Sequence, residues 1–68
     1  MFILYFIAYN RYEFIGLYHT MESALNHIIQ LEQRSKEEFY IDSNELYAKI
    51  TVYATYDQYA IEYIEVKD

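Results

Sequence analysis

The chain opens on eight consecutive apolar or aromatic residues, Phe2-Ile3-Leu4-Tyr5-Phe6-Ile7-Ala8-Tyr9, with no charge among them. At that length, and with aromatic and β-branched residues dominating, the run reads as a β-strand. A strand that is apolar at every position, not only at alternate ones, has both faces covered and belongs inside a sheet. That is a demanding requirement in a chain of 68 residues. A domain of this size buries only about 60% of the surface its unfolded chain exposes. With no cysteine, neither a disulfide nor a thiolate metal site can staple the fold. Stability must then come from an unusually apolar core or from a partner, and 54% of the residues are hydrophobic. Part of that apolar surface is expected to lie against another molecule.

Asn10 and Arg11 break the run, and a tight turn there returns the chain as a second strand, Tyr12 to His19. The single glycine, Gly16, falls inside this strand, where a missing side chain permits a bulge or a closely packed helix. Thr20 is a suitable N-cap, and Glu22 sits where the helix dipole favours negative charge. Met21, Ala24, Leu25, Ile28 and Leu31 follow at helical spacing, so a helix is expected over 21–36. Glu32 and Lys36 are placed there as an i,i+4 pair. Asp42-Ser43-Asn44 reads as a turn cluster. From Leu46 to Ala54 the pattern alternates: Ile50 and Val52 share one side, and Tyr47, Lys49, Thr51 and Tyr53 the other. Thr55 to Asp57 turns the chain into a last strand, Gln58 to Val66.

The expected fold is therefore α+β: a single domain over 1–68 in the order ββαββ. Its antiparallel four-stranded sheet carries one helix packed across one face. The other face is left bare, with tyrosines and aliphatic residues forming a larger apolar patch than a monomer usually exposes. Tyrosine, with a large apolar ring and a polar tip, suits such a contact surface, and the chain has ten.

Charge divides the chain. Residues 1–36 balance three acidic against three basic side chains, whereas residues 37–68 hold eight acidic against two basic, so the second half carries the net −6. That balance repels phosphate backbones and argues against direct nucleic-acid binding, even though exposed aromatic residues can stack bases. It is compatible with a basic partner or with a merely solvated acidic surface.

Catalytic signatures are sparse. His19 and His27 are the only side chains that ordinarily titrate near neutral pH. His27 has Ser23 and Leu31 at i±4, so no second ligand stands at helical spacing. Serines 23, 35 and 43 lack a nucleophile elbow, and one glycine cannot make a phosphate loop. Glu62 and Glu65 point to opposite faces of a strand. No cofactor, metal or enzymatic activity is expected.

Phe2 to Tyr9 is too short to span a membrane, which takes roughly 20 residues, and no basic segment precedes it as in a signal peptide. Together with the missing cysteines this reads as a soluble, cytoplasmic protein.

The functional expectation is a non-enzymatic protein-binding module: a small acidic inhibitor or regulator of the type carried by phages and mobile elements, for example an anti-defence protein. Its carboxylates and tyrosines would occupy a basic nucleic-acid-binding groove in a host protein, with the carboxylates mimicking phosphates. The contact residues expected on the C-terminal hairpin are Tyr47, Tyr53, Tyr56, Asp57, Tyr59, Glu62, Tyr63 and Glu65. The alternatives are a homodimer packed through its tyrosine-rich sheet face, or a small-ligand pocket between helix and sheet near Gly16 and His19.

Overall fold

The computed structural model describes residues 1–44, 49–54 and 57–65. The opening run forms strand β1, Phe2–Ala8, and returns as β2, Arg11–Tyr18. The turn between them is Tyr9-Asn10, with φ of 50° and 71°. Two left-handed residues give a hairpin turn the twist of the strands it joins. The turn thus starts one residue before the expected Asn10-Arg11, and Tyr9 enters a conformation that costs a residue with a Cβ roughly 1–2 kcal/mol.

Leu4 pairs with Gly16 and Tyr5 with Phe14, which leaves Ile15 as an extra residue in a β-bulge. The bulge changes the phase of β2. Phe14 and Tyr12, opposite Tyr5 and Ile7, face one side of the sheet; Gly16 and Tyr18, opposite Leu4 and Phe2, face the other.

Helix α1, Met21–Glu32, starts as expected: Thr20 Oγ1 accepts a hydrogen bond of 3.0 Å from the Ser23 N–H, with Glu22 in the first turn. It stops four residues short of 36, because Gln33 turns left-handed at φ 54°. Lys36 lies in a separate 3-10 turn, Lys36–Glu38, so Glu32 and Lys36 do not share a helix.

Strands β3 (Tyr40–Asn44), β4 (Lys49–Tyr53) and β5 (Gln58–Tyr63) complete the fold. The order is ββαβββ, and the sheet has five antiparallel strands arranged β2-β1-β5-β4-β3. This corrects the expected four strands and ββαββ order. The added strand contains Asp42-Ser43-Asn44, whose residue types signal a turn. At a sheet edge such residues are tolerated, since one side of the strand needs no partner and polar side chains discourage further pairing. The last strand ends at Tyr63, short of the expected Val66, which lies outside the described residues together with Leu46, Tyr47 and Ala48.

The helix covers one face of the sheet. Leu4, Val52, Tyr59 and Ile61 meet Ala24 and Ile28 in the buried core, with Phe2, Phe6, Ile15 and Ile50 packed around them. Ala24 and Ile28 are one turn apart, so both point down onto the sheet. Burying each large aliphatic side chain contributes about 1.5–3 kcal/mol. At the β2 side, a Cβ on Gly16 would stand 3.1 Å from the Tyr18 hydroxyl, so the glycine makes room for that ring. The Tyr18 hydroxyl and His27 Nδ1 share a hydrogen bond that ties β2 to α1. No helix among the described residues is long and apolar enough to cross a membrane.

Tyr9 generates a test. Its side chain is 99% exposed, so replacing it with Asn removes the left-handed cost and loses no packing. Tyr9→Asn is expected to raise the unfolding free energy by about 1 kcal/mol in urea titrations.

Candidate protein interface

Every strand contributes alternate residues to the face that α1 leaves open. The pairing places Leu17, Ile3, Glu62 and Lys49 in one row across the sheet. A second row holds Phe14, Tyr5, Ala60, Thr51 and Asp42, and a third Tyr12, Ile7, Gln58, Tyr53 and Tyr40. The β1–β2 half of this face is therefore aliphatic and aromatic, and the β4–β3 half polar with a tyrosine corner. Phe14 is 62% exposed, Leu17 51%, Tyr12 50%, Tyr40 67% and Tyr53 38%. Tyr40 and Tyr53 are cross-strand neighbours with ring centroids 5.7 Å apart.

One bridge spans the face. Lys49 Nζ donates to the Tyr12 hydroxyl at 2.8 Å and stands 4.8 Å from the centroid of that ring. The Tyr12 ring packs edge-on against Tyr5, with centroids 5.7 Å apart. Three strand spacings separate β4 from β2, about 14 Å in a flat sheet, so two extended side chains are needed to close the gap. Ala60 lies in the floor between them and is fully buried although no helix covers it. On the two central strands of this face Ala60 is the one small side chain, among Ile3, Tyr5, Ile7, Gln58 and Glu62. Among the described residues the charged side chains standing on it are Lys49, Glu62 and Asp42, a net −1.

The expected contact residues do not converge. Tyr53 and Glu62 stand on the open face. Tyr59 and Tyr63 alternate with Glu62 and face the helix side. Tyr63 lies half-exposed at the sheet end, edge-on to Phe2, and Glu65 is exposed beyond β5. Tyr47 and Tyr56 lie outside the described residues. Tyr59 is 3% exposed and no partner can reach its ring. Its hydroxyl donates to Glu32 Oε2 at 2.6 Å and anchors the last turn of α1 to β5.

Burial raises the Glu32 carboxyl above its ordinary pKa, and the neighbouring Asp57 carboxyl adds to the rise, while the Tyr59 hydrogen bond and Arg34 oppose it. The Tyr59 hydroxyl is pushed up as well, first by burial and then by Glu32.

The residues missed from the sequence are Tyr12, Phe14 and Leu17 of β2, and Tyr40 of β3. Strict alternation along β2 places Tyr12 with Phe14, Gly16 and Tyr18 on one face. Only the bulge at Ile15, which Gly16 hinted at, separates Phe14 from Tyr18. The space expected as a ligand pocket near Gly16 is filled by the Tyr18 ring. A hollow of about 370 Å³ lies instead by the first turn, lined by Phe6, Ile7, Ala8, Tyr9 and Asp57. Asp57 is the one carboxylate in its lining, and a binding pocket ordinarily converges several polar groups. Among the described residues no three His, Asp or Glu side chains cluster to hold a metal ion. Comparison with known protein families, curated proteins and solved structures finds no match to this chain.

Glu32 yields a pH prediction. Because its folded pKa is raised, its contribution to stability is full below the unfolded value and is lost as pH rises through the folded one. Glu32→Gln keeps an acceptor for Tyr59 but cannot ionise. In urea titrations the variant should gain on the wild type from pH 4 to pH 7; an unchanged difference would refute the burial penalty.

Proposed function

We propose that this chain is a non-enzymatic binding module that meets another protein through the open face of its sheet. The observation that carries the reading is convergence: Tyr12, Phe14, Leu17, Tyr40 and Tyr53 are exposed and all stand on that one face. Interface centres are rich in aromatic residues and poor in charge, and this face has both properties. A small cytoplasmic regulator or inhibitor of phage or mobile-element type is the class of protein this fits. The version that mimics nucleic acid draws less support from the geometry, since Asp42 and Glu62 share their face with Lys49, while Asp57 and Glu65 stand apart from it.

Site-specific photo-crosslinking in the native host tests the reading. A benzophenone side chain at Phe14 or at Tyr53 is expected to give protein adducts of discrete mass. The same group at Asn26, exposed on α1, should give none. Silence at both face positions, or an equal yield at Asn26, would overturn it.

A further inference from the structure

We propose that the occupant of the apolar half of this face is a second copy of the same chain, packed face to face over β1 and β2. The inference rests on the reading of the open face as a protein contact and adds the identity of the partner. Three observations favour a copy.

The first is the unmet demand of β1. Its Phe2, Leu4 and Phe6 side chains lie under α1, while Ile3, Tyr5 and Ile7 point to the open side and are only partly covered. A strand apolar on both faces is typical of a sheet covered on both faces, and a second such sheet supplies the missing layer.

The second is charge. Two chains of −6 repel each other over most of their surface. The β1–β2 half of the open face presents Ile3, Tyr5, Ile7, Tyr12, Phe14 and Leu17, with no carboxylate, ammonium or guanidinium among them. The charges bordering it are the Lys49 ammonium, held at Tyr12, and the Glu62 carboxylate, which stands beside Ile3 and directly opposite Lys49. Two copies can meet about a two-fold axis with the uncharged half at the centre and Glu62 and Lys49 at the rim.

The third is area. Phe14, Leu17 and Tyr12 are each at least half exposed on neighbouring positions of this half, and they extend the partly covered Ile3, Tyr5 and Ile7 into one apolar surface. A standard interface takes about 800 Å² from each partner, some 20–30 residues a side, so a sheet face of this chain is the size of surface that a small dimer uses. The edge of β2 offers no better route, because its bulge at Ile15 interrupts the ladder and Arg11 and Glu13 stand along it.

Sedimentation velocity over a micromolar concentration series tests the inference. The wild type is expected to dimerise, and its dissociation constant should fall about tenfold from low to physiological salt, since salt screens the repulsion between two −6 chains. A contact driven by acidic mimicry of a basic partner shifts the opposite way. Phe14→Glu should be monomeric with an unchanged far-UV circular dichroism spectrum. Leu31→Glu, at a comparably exposed apolar position on α1, should remain dimeric. Where Phe14→Glu fails to fold, the salt series on the wild type decides. A wild type that stays monomeric at high micromolar concentration overturns the self-pairing, and so does a dimer that Leu31→Glu dissolves and Phe14→Glu does not. A monomer that still crosslinks from Phe14 to a different protein refutes the copy and leaves the proposed function standing.

Discussion

Pairing of β1 with β5 is the interaction on which the rest of this structure depends. Phe2 to Ile7 run antiparallel to Tyr63 to Gln58, and the two strands place Leu4, Ile61 and Tyr59 where α1 can close over them. The β1–β2 hairpin lies on one side of this pair and the β4–β3 hairpin on the other. Without it the sheet divides into the β2-β1 ribbon and the three strands β5-β4-β3, and an isolated two-stranded ribbon is marginally stable in water at best. The pairing also sets what is left over, because a sheet assembled this way has two broad faces and α1 covers only one.

On the covered side, polar side chains fasten the helix to the sheet at two points. Tyr18 and His27 join β2 to the middle of α1, and Tyr59 and Glu32 join β5 to its last turn. Both use tyrosine, whose ring fills apolar space while its hydroxyl finds a polar partner. Tyrosine therefore has two separate jobs in this molecule. Tyr18 and Tyr59 are internal struts, whereas Tyr12, Tyr40 and Tyr53 belong to the open face, and abundance alone does not distinguish the groups.

Strong local patterns made much of this legible from the residues. The unbroken apolar run is a strand with neighbours on both sides, Thr20 caps the helix, and Ile50 and Val52 alternate with Lys49, Thr51 and Tyr53 as the sequence implies. What was not legible depends on tertiary context. Tyr40 to Asn44 has weak strand propensity and becomes a strand because β4 offers a free edge. The bulge at Ile15 inverts the apparent facing of half of β2, and a bulge is a one-residue event that no periodicity records. Gln33 adopts a left-handed conformation without being glycine, so the helix ends where no stop signal is written. For the candidate interface, the apolar character of the open face was readable, but its most exposed members were not.

The position of β5 also constrains the order in which the molecule can be built. The last strand in sequence lies in the middle of the sheet, between the first strand and the fourth. During synthesis the β1–β2 hairpin and α1 emerge before β5, so the central seam cannot close until β5 has left the ribosome. Contacts between residues some sixty positions apart carry a large loop-closure cost, so folding is expected to be slow for a chain this short. Until that seam closes, the apolar surfaces on both sides of β1 are open to solvent, and the chain is aggregation-prone for as long as β5 is missing from the sheet.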